Sequence, residues 1–268
     1  MEQNLRSRLA TGLVAVPLLI FLIGWGEPWL FTGILFLLTA GALREYFVIT
    51  LPGCGREQIL GVIFGVLLFL WIVLPAPGVS EIGLGFLLVG LFSTYLILGG
   101  GPEEKLRRLA WTVLGAFYLG YLLPYWVLLF RLPNGRAWVF FVLAVIMAGD
   151  TAAFAVGKRF GRSKLAPELS PGKTVEGAWG YVAGSLIAGS GAAKFLVPDW
   201  SGMEILALSL MLSLLGQLGD LFESWLKRAF AVKDSGALLP GHGGLLDRLD
   251  SLVFPAVVTT TYLKLFHP

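Results

Sequence analysis

The sequence is short of charge. Asp, Glu, Lys and Arg make up only 14% of its 268 residues, while 56% are hydrophobic. One large or two small soluble domains of this length are excluded by that balance. A single cysteine, Cys54, rules out an intramolecular disulfide. Arg6 and Arg8 precede an apolar run in the manner of a signal peptide, but no small-residue cleavage site follows. The run continues into Trp25-Gly26-Glu27-Pro28-Trp29, so it reads as a retained first span. No internal repeat is evident, which weakens a transporter reading, since many transporters carry two related halves. The loop Ser170-Pro171-Gly172-Lys173-Thr174 lacks the first glycine of a Walker A motif. A net charge of +3 is modest, and no nucleic-acid partner is expected.

In place of these features the chain has apolar runs in close succession, the pattern of membrane-spanning helices. The expected fold is all-α and polytopic, with about nine spans at 9–24, 28–50, 59–74, 81–98, 109–130, 136–156, 178–198, 203–228 and 248–266. Pro124 is expected to kink the fifth. The first five form an N-terminal membrane region, 1–130, and the last four a C-terminal catalytic region, 131–268, within one integrated unit. With a cytoplasmic N-terminus, 16 of the 20 basic residues fall at cytoplasmic ends; Arg131, Arg136, Lys194 and Lys264 are the other four. That asymmetry supports nine spans and an N-terminus inside. The two longest polar connections, 157–177 and 229–247, then share the cytoplasmic side. Gly61/Gly65 and Gly180/Gly184, each pair four apart, permit close helix approach within one bundle or between two copies.

Ionisable residues gather between Gly216 and Ser251: Asp220, Asp234, Asp247, Asp250, Lys227, Arg228, Lys233, Arg248 and His242, one of two histidines. Charge at membrane depth is expensive and is seldom kept without a task. Asp220, Ser224 and Lys227, spaced i, i+4, i+7, share one helical face. Asp247 and Asp250 suit capping of the last span, and Asp247 could face Asp220 to offer the hard oxygen ligands that Mg²⁺ and substrate phosphates want. Lys227, Arg228, Lys233 and Arg248 suit phosphate oxygens. The Leu239–Gly244 loop permits tight turns, and its amides can cradle an anion; His242 contacts phosphate or holds that turn. Asp150 lies deep in the sixth span. The basic cluster around Lys158 and Lys173 either anchors anionic lipid or walls a nucleotide or lipid-phosphate pocket.

The run Ser224-x2-Lys227-Arg228-x4-Lys233-Asp234-x-Gly236-x2-Leu239-Pro240-x-His242-Gly243-Gly244-Leu245-x-Asp247-Arg248-Leu249-Asp250 resembles the signature of the phosphatidate cytidylyltransferases, or CDP-diacylglycerol synthases. The likeness extends upstream through Gly219–Glu223, Ser170–Gly177 and Ala148–Thr151, roughly the C-terminal half. Where that family has Ser-Pro-Lys-Lys, this chain has Ser170-Pro171-Gly172-Lys173, one basic side chain fewer. The resemblance implies a bacterial inner-membrane enzyme, working on the cytoplasmic side as a homodimer. It would join CTP to phosphatidic acid, giving CDP-diacylglycerol and pyrophosphate. It implies Mg²⁺ on Asp220 and Asp247, with a second cation, K⁺, beside it. Ser224, Lys227 and Lys173 carry over as catalytic or substrate-binding residues. Arg228, Lys233, Asp234, His242 and Arg248 complete the expected substrate contacts. The competing readings are a CTP-dependent polyprenol kinase and an anion transporter.

Overall fold

The computed structural model describes residues 16–74, 80–236 and 243–267. Arg6, Arg8, Leu239, Pro240 and His242 lie outside the described residues. Helix α1 is described from Val16 to Trp25. There follow α2 (Pro28–Thr50), α3 (Gly55–Val73), α4 (Ser80–Ile97) and α5 (Pro102–Gly115). A π-helix (Ala116–Tyr121) and α6 (Tyr125–Phe130) continue α5, and α7 runs from Gly135 to Phe160. Strands β1 (Lys164–Ala166) and β2 (Ser170–Thr174) precede α8 (Val175–Leu196) and α9 (Gly202–Ala229). The chain closes with α10 (Leu246–Leu249), a 3₁₀ turn (Asp250–Leu252) and α11 (Val253–Phe266).

Among the described residues, six helical stretches are long and apolar enough to cross a membrane: Pro28–Thr50, Gly55–Val73, Pro102–Phe130, Gly135–Phe160, Gly202–Ala229 and Leu246–Phe266. In five of them only 33–39% of the most apolar window is buried inside the protein. Phe86, Leu96, Ile97 and Phe195 are 74–88% exposed. Water would not tolerate so much uncovered apolar surface, whereas hydrocarbon does. The chain is an integral membrane protein of helical class. The connection at 157–177, read from sequence as a polar loop, instead contains the one departure from helix among the described elements. There β1 and β2 form an antiparallel hairpin with Lys164 opposite Thr174 and Ala166 opposite Ser170.

The chain packs as two compact units. One comprises Glu27–Val127 with the flanks of the Asp234–Asp247 segment; the other comprises Pro17–Gly26, Leu128–Lys233 and the chain from Arg248 onward. In the first unit, α2 starts on Pro28, whose missing N–H falls where a helix has no partner for it. Gly61 and Gly65 of α3 lie against Phe47 and Leu43 of α2; a Cβ at either would come within 2.7 Å of those side chains. Gly120 in the π-helix rests on the backbone of Gly65. The strain expected at Pro124 is met by this π turn and a following non-helical turn. Proline cannot donate the next helical hydrogen bond, and the backbone re-registers ahead of it. Phe64, Leu68, Leu91, Tyr95 and Ala116 form the core beneath. There the Tyr95 and Thr112 hydroxyls pair at 2.6 Å, and Arg108 joins Glu57 to Glu104.

In the second unit α7, α8, α9 and α11 pack side by side. Gly180 and Gly184 sit on Val156 and Ala152 of α7, and Ser185 donates to the Val145 carbonyl at 3.0 Å. Trp138, Phe141, Val145, Ile146 and Leu212 are buried between the helices. Arg136 donates to the Ile23, Gly24 and Gly26 carbonyls at 3.3, 2.5 and 2.9 Å. It thereby satisfies carbonyls that the end of α1 leaves without helical partners.

Candidate active site

The second unit contains a cavity of about 460 Å³, within the range of small-molecule sites. Its polar lining is Asp150 and Lys158 from α7, Lys173 and Thr174 from β2, Tyr181 from α8, and Gln217 and Asp220 from α9. The Ser170–Gly177 motif builds one wall. Thr174 caps α8 by accepting the Gly177 N–H at 3.1 Å, the favoured arrangement at a helix start. Glu176 reaches back to the N–H groups of Arg162 and Ser163 at 3.0 and 3.2 Å. The Arg162 amide foremost holds the Glu176 carboxyl below the usual carboxylate range. These contacts fasten both ends of the hairpin and deliver Lys173, whose ammonium meets Asp220 Oδ2 at 2.8 Å. The side chains of this pair are only 24% and 33% exposed, so it is shielded from full solvent screening.

Asp220, Ser224 and Lys227 follow one another along α9 as their spacing requires, but each is engaged differently. Lys227 pairs with Glu223 at 2.6 Å, and the Glu223 side chain is fully buried. Ser224 is buried, and Arg228 is exposed. The Arg228 guanidinium donates to the Leu169 and Val232 carbonyls, both at 3.1 Å, tying the hairpin turn to the end of α9. Lys233, Asp234 and Arg248 are exposed. Asp250 accepts the Ser251 N–H at 2.6 Å, and its backbone carbonyl packs directly on Gly219, where a Cβ would be 2.2 Å away. The glycine before Asp220 is therefore a close-contact requirement.

Asp150, Asp220 and Asp250 lie within one another's electrostatic reach, with Lys173 acting on Asp150 and Lys227 on Asp250. With Glu223 there are four carboxylates against two ammonium groups. Among the described residues no three Asp, Glu, His or Cys side chains converge tightly enough to enclose a metal ion. Mg²⁺ typically takes one or two carboxylates and completes its octahedron with water and substrate phosphates.

Asp247 belongs to the first unit and is held by backbone. Its Oδ2 accepts the Ser235 N–H at 3.1 Å and the Gly244 N–H at 3.0 Å. Asp247 thus staples the signature segment, and the Gly244 amide, expected to be open to an anion, is already taken. Sequence reasoning missed Glu45 of α2. Its Oε2 accepts from Ser235 Oγ at 3.1 Å and from the Leu246 N–H at 2.9 Å. Glu223 and Glu176 fall within the motifs quoted above but receive no role there, and Tyr181 is not singled out. Only Glu223 carried a local signal, the i,i+4 spacing to Lys227.

A model of the cytidylyltransferase family matches residues 6–266. The chain belongs to that family. It is similar to the phosphatidate cytidylyltransferase of Bacillus subtilis, 34% identical over 281 residues, covering 98% of this chain and 99% of that protein. The phosphatidate cytidylyltransferase of Brucella suis is 35% identical over 274 residues, 98% and 94% of the two chains. That of Staphylococcus aureus is 45% identical over 121 residues, 45% of this chain and 46% of the relative. The resemblance read from the C-terminal motifs therefore extends over nearly the whole chain, including its N-terminal half.

Proposed function

We propose that this protein is a phosphatidate cytidylyltransferase, converting CTP and phosphatidic acid into CDP-diacylglycerol and pyrophosphate for phospholipid synthesis. Full-length similarity to enzymes of that name supports the reading. The structural observation that carries it is the Lys173–Asp220 pair on a cavity also lined by Asp150 and Lys158.

A phosphatidate oxygen attacks the α-phosphorus of CTP in line and pyrophosphate departs. The nucleophile is already anionic, so no strong general base is required. The protein's task is to neutralise two crowded anions and align them. Asp220 and Asp247 are the residues to hold Mg²⁺, which when bound would supply charge neutralisation at the phosphates. Lys173 exchanges Asp220 for a phosphate oxygen as nucleotide arrives. Lys227, Arg228, Lys233 and Arg248 clamp the remaining oxygens, while Ser224 and Asp234 contribute hydrogen bonds. A second cation, K⁺, and a homodimer remain part of this proposal, as does His242 as a substrate contact.

Counting α1, α4 and α8 with the six long apolar stretches gives nine spans. The 16-to-4 division of basic residues supports an N-terminus and a site on the cytoplasmic face of a bacterial inner membrane. There CTP arrives from water while phosphatidate keeps its tails in the bilayer. The test is purified protein with phosphatidic acid, Mg²⁺ and CTP labelled at the α-phosphate. Label should pass into lipid with one pyrophosphate released per turnover. Release of CDP would make the protein a lipid kinase instead.

A further inference from the structure

A carboxylate that is 4% exposed near the end of an apolar helix requires a reason, and Glu45 has one that the chemistry above does not use. Its Oε2 receives two donors from opposite flanks of the signature segment: the Ser235 hydroxyl and the Leu246 amide. The Ser235 hydroxyl also accepts the Asp247 N–H at 3.3 Å, while the Ser235 amide donates to Asp247 Oδ2. The carboxylates of Glu45 and Asp247 are thus linked through both the side chain and the backbone of one serine. Two signature glycines are explained by the same contact. A Cβ at Gly236 would lie 2.4 Å from Glu45 Oε1, and its three nearest atoms all belong to Glu45. A Cβ at Gly244 would strike Ser235 Oγ and lie 2.7 Å from Glu45 Oε2. Ser235, Gly236, Gly244 and Leu246 pack tightly around this one side chain.

We infer that Glu45 is a positioning residue of the transferase: it ties Ser235 to Leu246 and thereby sets the carboxylate of Asp247 for the metal and phosphates of the substrate. The inference rests on the reading of Asp247 as a metal ligand. Groups that orient a ligand from behind typically change metal affinity or activity by about 10–100-fold when removed. A leucine would fill the same space but would leave the Leu246 amide and the Ser235 hydroxyl without their shared acceptor.

The experiment compares Glu45→Ala, Glu45→Gln, Gly236→Ala and the Glu45→Ala/Gly236→Ala pair in the full-length protein. Hydrogen exchange is followed in EDTA, and turnover is followed against Mg²⁺. Glu45→Ala should speed exchange of the Gly244, Leu246 and Asp247 amides without metal. It should raise the Mg²⁺ needed for half-maximal turnover by about 10–100-fold and leave the KM for phosphatidate unchanged. Glu45→Gln keeps an acceptor oxygen and should recover most of both effects. Gly236→Ala should be damaging alone and nearly silent once the Glu45 side chain is gone. Unchanged exchange and Mg²⁺ dependence in Glu45→Ala, or full additivity in the double variant, overturns the inference. If Glu45→Ala fails to accumulate in membranes, Gly236→Ala displaces the same carboxylate, and normal Mg²⁺ dependence there overturns it equally. Near-normal turnover in Asp247→Ala refutes the metal-ligand reading itself, leaving the exchange result to report on the Glu45 contact alone.

Discussion

Two aspartates stand at the centre of the account, and they are held in opposite ways. Asp220 is partnered by the tip of a flexible side chain, the Lys173 ammonium, at the edge of a cavity. Asp247 is held by the Ser235 and Gly244 amides, beside the buried Glu45 that receives Ser235 and Leu246. The first arrangement is exchangeable, because a phosphate can draw Lys173 away at the price of one ion pair. The second is preorganised, since its geometry is fixed before any substrate arrives. On the proposed reading, the two differ in role: one ligand releases its counter-ion and the other does not move.

The widest separation should come from amide substitutions at the two positions. Asp220→Ala and Asp247→Ala should each lower turnover by at least about 100-fold with normal membrane insertion. Asp247→Asn keeps an oxygen for the Ser235 and Gly244 amides and should retain slow exchange in the segment despite lost activity. Asp220→Asn removes the charge partner of Lys173 and should raise the susceptibility of the hairpin to proteolysis.

Next in size is the buried pair beside Asp220. Lys227→Ala leaves the fully buried Glu223 side chain without its ammonium partner. Breaking a buried pair from one side typically costs about 3–5 kcal/mol, readable as a fall in thermal midpoint. A Glu223→Gln/Lys227→Met double variant should recover stability without recovering activity. Recovery of both would make Lys227 purely structural.

Lys173→Ala should lower turnover by about 10–100-fold through lost charge stabilisation, with Lys173→Arg partly active. Because Lys173 is exchangeable, its loss should also raise the KM for CTP, whereas Glu45→Gln should not.

The smallest effect concerns Glu176. Its carboxyl is held below the usual range by the Arg162 and Ser163 amides. Its folded pKa lies below the unfolded value, so its contribution to order is full above the unfolded value. It is lost as pH falls through the depressed folded value. Limited proteolysis between 161 and 174 should therefore accelerate at acid pH in the parent protein. Glu176→Gln should show that faster cleavage already at neutral pH.

Most of the helical framework could be read from hydropathy. The second span was expected at 28–50 and is found at Pro28–Thr50, and the expected 203–228 is found as Gly202–Ala229. Runs of apolar residues longer than a hydrocarbon core leave little choice of structure. The β1–β2 hairpin was not legible, because strands of three and five residues containing Pro171 and Gly172 offer no periodicity to detect. The candidate site was legible where its residues are neighbours in sequence. Asp220 and Lys227 announce themselves on one helix, and the Asp247 signature is dense. Glu45 was not legible, because its partners lie 190 and 201 positions away and a lone acid in an apolar helix names no partner. The pairing of Lys173 with Asp220 shows the same limit: the motif was visible, but what the lysine touches was not.

The most direct test of the central claim is α-phosphate-labelled CTP given to the purified parent protein and to Asp220→Ala, with phosphatidic acid and Mg²⁺. Label should appear in the lipid product with equimolar pyrophosphate from the parent protein, and the variant should react at least about 100-fold more slowly. Label left in CDP, or undiminished transfer by Asp220→Ala, would contradict that claim.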